Sequence, residues 1–235
     1  MKIAIINYSG NVGKTTIAAQ LLAPRLKDYK ILSIESINEN ASNISQAEFE
    51  QMKSDKFSKI VAEILKQDNL ILDVGASNVE DFMKGLVKFK NSFDYIDLFI
   101  IPITPKSKVQ TESINTADYL IDIGVPVAKI KVIFNQADDD LNEVFEKTIK
   151  KLDKIGVEIN PNLVIGETDL FDNLNIKKMN ISQLFERDFR EELKTIDKKS
   201  KNYDHIVDLT VMRINAEAIN ENLDNVFNHL GIING

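Results

Sequence analysis

The opening of the chain constrains it most. A short apolar run, Ile3 to Ile6, stops at the turn Asn7-Tyr8-Ser9-Gly10-Asn11-Val12-Gly13 and passes into Lys14-Thr15-Thr16. Ile17-Ala18-Ala19-Gln20-Leu21-Leu22 follows with helical spacing. Strand, glycine-bearing loop, Lys-Thr and helix, in that order, are the context of a phosphate-binding loop. Backbone N–H groups from Gly10 to Thr15 would wrap a phosphate at a helix N-terminus, where the helix dipole adds positive potential. Lys14 would reach the β- and γ-phosphates and Thr15 would put its hydroxyl on Mg²⁺. Gly10, Asn11, Val12, Gly13, Lys14, Thr15 and Thr16 are thus the candidate nucleotide contacts.

The rest of the chain is consistent with that start. Apolar strand-like runs alternate with helical patterns almost to the end, the signature of βαβ units and a parallel sheet. Strands are expected at Lys30–Ile34, Asn69–Asp73, Tyr95–Ile103, Lys131–Asn135 and Asn162–Ile165. Helices are expected over Phe57–Leu65, from Val79 behind an Asn78 cap, up to Gly124, and over Leu141–Leu152. Pro24 should kink or stop the first helix. The expected fold is α/β: a P-loop NTPase with a mostly parallel twisted sheet flanked by helices and a helical C-terminal tail. The 235 residues suit one P-loop domain, an α/β core over 1–180 with a tail over 181–235 packed on it.

Asp73 is the second strong signal. An acid at the C-terminal end of a buried strand can hold a Mg²⁺-bound water facing the phosphate loop, so Thr15 and Asp73 form the candidate metal pair. The alternative is an Asp that caps the next turn. With no cysteine and only His205 and His229, thiolate and zinc sites are excluded. Lys and Arg number 29 against 36 Asp and Glu, a net charge of −7 that argues against nucleic-acid binding by bulk charge but not against a local basic patch. No apolar run approaches the ~20 residues of a membrane span, and a cytoplasmic protein is expected.

The loop is not the ordinary one, which would place a glycine at Tyr8. Ser9-Gly-Asn-Val-Gly-Lys-Thr-Thr16 resembles instead the deviant Walker A loop of the ParA/MinD ATPases, in which Ser9 would be a lysine that reaches across a nucleotide-sandwich dimer. Asn11 stands for a glycine there, and Asn is the non-glycine residue that best tolerates positive φ. The resemblance implies roles for further positions. Gly75 would let the backbone approach the γ-phosphate, and Glu35 would be the first acid of the first switch. Ile37 falls where the family has a second, water-positioning acid, with Asn38 as a polar substitute nearby. Asn135 would contact adenine. Asn135-Gln-Ala-Asp138 also echoes a guanine-reading box, but Gln136 lacks the lysine stem that stacks on guanine, so adenine is the expected base. Together with LLAPRL, SIESIN, LDVGASNVE and AINENLDNVFNHLG, these features are similar to the StbB group, ParA-like proteins of plasmid stability and conjugative transfer. This implies a Mg²⁺- and ATP-dependent switch or slow ATPase, with Lys14, Asp73 and Glu35 as catalytic residues and a DNA-bound adaptor or transfer protein as partner. The rivals are a module that binds nucleotide without hydrolysing it and an ATP-dependent small-molecule enzyme.

Two surfaces stand out in the tail. Arg187, Arg190, Lys194, Lys198 and Lys201 would line one face of a continuous helix and are the candidate non-specific DNA surface. Met212, Ala216, Ile219, Leu223, Val226 and Leu230 form a narrow apolar seam that suits docking on the sheet, or a homodimer.

Overall fold

Strands buried on both faces read as nearly continuous apolar runs, because residues pointing to either side meet helices. The computed structural model, which describes residues 1–26, 28–35, 50–52, 57–137 and 140–232, has this arrangement. Among the described residues seven strands, β1 (Lys2–Ile5), β2 (Lys30–Ile34), β3 (Glu50–Met52), β4 (Leu70–Val74), β5 (Leu98–Ile103), β6 (Ile130–Asn135) and β7 (Val164–Ile165), form one sheet in the order β3-β2-β4-β1-β5-β6-β7. Every pairing is parallel. The chain runs outward from β1 to β3, returns to β4 beside β1, and then builds the other half through β5, β6 and β7. Its winding therefore reverses at β1. The crevice at the carboxyl edge of such a reversal is where open α/β sheets bind ligands.

Alternate residues of β1, β2, β4, β5 and β6 feed two cores. Ile3, Ile5, Ile31, Ile71, Ile100 and Ile133 face one side, where the helix after the loop, α6 (Leu170–Lys177), α7 (Phe189–Thr195) and α8 (Tyr203–His229) pack. Ala4, Ile6, Leu32, Leu72, Phe99 and Phe134 face the other, covered by α2 (Phe57–Lys66), α3 (Val79–Lys88), α4 (Ser107–Asp122) and α5 (Leu141–Lys154). Gly124 ends α4 at φ 97°, the left-handed stop expected of it.

The helix after the loop shows what Pro24 does. It opens as α1 (Lys14–Thr16) and widens into a π-helical stretch over Ile17–Leu22, where Ala23 N–H donates to Ala18 O, five residues back, at 3.0 Å. Pro24 has no N–H to give Gln20 O. The Arg25 guanidinium donates to that carbonyl at 3.0 Å and to Leu21 O at 3.3 Å. It also donates to Asn220 Oδ1 at 2.8 Å and Asp224 Oδ1 at 2.7 Å, stapling the helix to α8.

Two expectations need correcting. The basic residues of the tail do not share a helix. Asp188 caps α7 by accepting from Arg190 and Glu191 N–H, and Ile196 is already extended at φ −74° and ψ 139°. Arg187 therefore precedes the helix, and Lys198 and Lys201 follow it. Three of the five cations are engaged by carboxylates of the chain itself: Arg187 by Glu192 at 2.6 Å, Lys194 by Glu191 at 2.5 Å and Arg190 by Glu217 at 3.9 Å. Asn78 occupies the N-cap position of α3, but its side chain donates to Ile34 O at 3.2 Å and accepts nothing from the helix. The apolar seam of α8 takes the intramolecular course: Met212, Ala216, Leu223, Val226 and Leu230 are buried in the first core, with Ile219 packed beside them.

Candidate functional site

The loop from Asn7 to Gly13 leaves β1 at the carboxyl edge and is held from both sides. On the β5 side stands Asn7, fully buried. Its amide donates to Pro102 O at 2.8 Å and to Ser113 Oγ at 2.7 Å, while its Oδ1 accepts Ser9 N–H at 2.8 Å. Tyr8 N–H donates to Thr116 Oγ1 at 3.2 Å, and Ser9 Oγ donates to Glu112 Oε2. Glu112, Ser113 and Thr116 lie on one face of α4. Ser113 and Thr116 return their own protons to carbonyls one turn back, at 2.8 and 2.7 Å, so each hydroxyl is fixed as an acceptor for the loop. Sequence reasoning missed this bolt. Its signal was a polar residue, Asn7, ending an apolar strand, answered by small hydroxyl residues on a helix that follows another strand of the same edge.

On the β6 side, Asn135 Nδ2 donates to Val12 O at 3.0 Å. This brings the asparagine against Gly13, where a Cβ would lie 2.2 Å from that nitrogen. Gly13 also sits at φ 86°, so the position requires glycine twice over. Asn11, the residue in place of a glycine, takes φ 55° and is exposed. Val12 is buried, Gly10 exposed and Thr16 half-buried.

Lys14 and Thr15 start α1 over the foot of the loop. Lys14 is 7% exposed, and its ammonium donates to Ser9 O at 2.7 Å and Asn7 O at 3.2 Å, closing the loop into a ring. Thr15 Oγ1 donates to Asp73 Oδ2 at 2.6 Å. Register explains the meeting: Asp73 pairs with Ile5, the last residue of β1. Burial pushes the Asp73 carboxyl above the usual carboxylate range, opposed by the Thr15 hydrogen bond and the Lys14 charge. A hydroxyl and a carboxylate converging at a loop mouth are hard oxygen donors of the kind Mg²⁺ takes, and they fit that ion. Among the described residues no cluster of three or more acid, His or Cys ligands competes with them.

Glu35 follows β2 and is half-buried, with its Cγ against Gly75. Gly75 N–H donates to Ile34 O at 2.9 Å, and a Cβ at Gly75 would lie 3.0 Å from that oxygen. The two expected switches thus touch at their roots. Ile37, Asn38 and Asp138 lie outside the described residues. Beyond Asn135, a cavity of about 350 Å³ lies between the end of β7 and α8, lined by Ala137, Gly166, Glu167, Thr168, Ala218 and Asn222.

No family model and no curated protein matches the chain. Solved structures do. The apo form of McdA from Cyanothece superposes with a TM-score of 0.56 at 13% identity, covering 98% of this chain and 99% of its own. A single-residue variant of the same McdA, in complex with ATP, gives 0.51 at 15%, covering 90% and 96%. MinD, a cell division protein of Aquifex aeolicus, gives 0.51 at 16%, covering 91% and 96%. The fold is that of the ParA/MinD ATPases. Within that ParA/MinD-type fold, the ring of Lys14, the Thr15–Asp73 pair and Asn135 gather around one loop at the reversal of the sheet.

Proposed function

We propose that this chain is a Mg²⁺-dependent ATP-binding switch and slow ATPase of the ParA/MinD kind, acting with a DNA-bound adaptor in plasmid stability, partition or conjugative transfer. The observation that carries the reading is the contact of Thr15 with Asp73 beneath a loop closed by Lys14. Backbone N–H groups of Gly10 to Thr16 would bind the phosphates, Lys14 would neutralise the β- and γ-oxygens, and Thr15 and Asp73 would hold Mg²⁺. Mg²⁺, when bound, supplies neutralisation of the charge that builds on the phosphates. Gly75 and Glu35, touching at the roots of the switches, would sense the γ-phosphate, and Asn135 with the cavity beyond it would take adenine. That a protein of the same fold, McdA, forms an ATP complex supports ATP as the ligand, and the StbB-like residues of the sequence support the plasmid role. The chain is read as one cytoplasmic P-loop domain, with its tail packed on the core. DNA contact through Arg187, Arg190, Lys194, Lys198 and Lys201 would draw on α7 and the segments on either side of it, not on the face of one helix.

Lys14→Ala should abolish ATP binding by calorimetry while the chain stays folded; unchanged affinity in a folded variant would refute the assignment. A second reading, nucleotide binding without hydrolysis, is favoured by Ser9, whose hydroxyl is turned onto Glu112. Phosphate release from Mg²⁺-ATP separates the two. Slow turnover, lost in Lys14→Ala, supports the switch, and none with or without DNA supports the binding module.

A further inference from the structure

The cavity at the end of β7 takes one of its walls from the last helix of the chain. Its volume of about 350 Å³ is that of a small-ligand cleft, and Ala137, Gly166, Glu167, Ala218 and Asn222 are among the residues around it. Sheet register joins it to the phosphate loop. Asn135, which donates to Val12 O, pairs with Ile165, and Ala137 N–H donates to Ile165 O at 3.2 Å. Ile165 lines the cavity, and it also meets Thr16, Asn135 and Leu223 around a narrow interior gap. Loop, β7 and α8 thus come together at Asn135 and Ile165.

Among the described residues that line the cavity, Asn222 alone carries a carboxamide. Helix geometry puts it there. Ile219 and Leu223 turn to the first core, and Asn220 and Asp224, on one flank of that stripe, are held by Arg25. Ala218 and Asn222, four apart, share the other flank, and the small Ala218 leaves it open. Asn222 Nδ2 donates to Val164 O at 3.0 Å. A carbonyl can only accept, so this bond fixes the amide with its nitrogen on β7 and Oδ1 left as an acceptor. No donor among the described residues meets that oxygen. Asn135 has its own Nδ2 committed to Val12 O and is not part of the cavity wall.

We propose that Asn222 is a base-selecting residue of this site, accepting the N6 amino group of adenine on Oδ1, so that α8 takes part in choosing the nucleotide. Adenine carries a donor at this position, whereas guanine carries the acceptor O6, which would face Oδ1 lone pair to lone pair. The proposal rests on the nucleotide reading above and adds to it the residue and the base atom.

The test compares three ligands of the full chain with Mg²⁺ by calorimetry: ATP, purine riboside triphosphate, which lacks only the N6 amino group, and tripolyphosphate, which has no base. One such hydrogen bond is worth about threefold to tenfold in affinity, and the parent should prefer ATP to the analogue by that factor. Asn222→Ala should bring ATP down to the level of the analogue and leave the analogue nearly unchanged; a merely structural role would weaken both alike. Ala218→Leu, which fills the cavity from an exposed position, should weaken both nucleotides and spare tripolyphosphate. Equal affinity of the parent for ATP and the analogue would overturn the proposal whether or not Asn222→Ala folds. A preference for ATP that persists in folded Asn222→Ala would overturn it and leave the nucleotide reading standing. A parent chain that bound none of the three would overturn both.

Discussion

Substituting Gly13 by Ala tests the claim that the loop is clamped against β6. The added methyl meets two separate costs. Holding an L-residue near φ 86° costs about 1–2 kcal/mol. The Cβ would also come 2.2 Å from Asn135 Nδ2, so the asparagine must swing off and leave Val12 O without its donor. A lost buried partner costs about 1–3 kcal/mol, which makes about 3 kcal/mol in all. For a chain of this size that lowers Tm by about 6–12 °C. The second cost depends on Asn135 and the first does not. In an Asn135→Ala background, Gly13→Ala should therefore cost only the backbone part, about 1–2 kcal/mol, a coupling of about 1–2 kcal/mol. Urea unfolding of the four proteins, free of nucleotide and metal, measures it. Equal costs of Gly13→Ala in both backgrounds would refute the close approach as the reason for glycine.

Other substitutions have readouts of their own. Asp73→Asn should remove the Mg²⁺-dependent part of ATP affinity and leave most of the Mg²⁺-free part, by calorimetry with and without chelator. The same variant should unfold at higher urea than the parent when metal is absent. The folded Asp73 holds its proton to higher pH than the unfolded chain, so its presence lowers stability as pH rises from the ordinary carboxylate range through its raised value. The advantage of Asp73→Asn should accordingly be absent near pH 3, grow as pH rises and then level off; an advantage constant over that range would refute the burial argument. Arg25→Ala should cost about 2 kcal/mol, since it strips the cap from two helix carbonyls and the bridge to α8. Arg25→Lys, which cannot reach all of them, should recover less than half in thermal unfolding.

The alternation of apolar strands and helical patterns made most of the sheet legible, because parallel strands buried on both faces announce themselves as Leu-Ile-Leu or Phe-Ile-Ile runs. The edge strand Glu50–Met52 was not legible: a polar edge strand has no such run. Lys14, Thr15 and Asp73 could be singled out as candidates, since phosphate and Mg²⁺ chemistry favours their types and each ends or follows an obvious strand, whereas Asn135 stood out only through the family resemblance. Asn7, Glu112, Ser113 and Thr116 could not. Their contacts cross about a hundred residues of chain, and a Ser or Thr inside a helix looks like any solvated position until a neighbour is placed beside it. The tail misled for a local reason. Arg187 to Lys201 has helical spacing throughout, but Asp188 caps a new helix within it and Ile196 ends that helix.

The staple between Arg25 and α8 has a consequence for how the protein comes into being. The residues it joins are 199 positions apart, so Arg25 is made well before Asp224. Until α8 has left the ribosome, the carbonyls of Gln20 and Leu21 lack their bridge to Asn220 and Asp224, and the wide turn behind the phosphate loop lacks its backing. The candidate phosphate-loop residues are made before α8, and the support behind them arrives only with that helix. A chain stopped short of Asn220 would keep the whole loop sequence and still lack that backing.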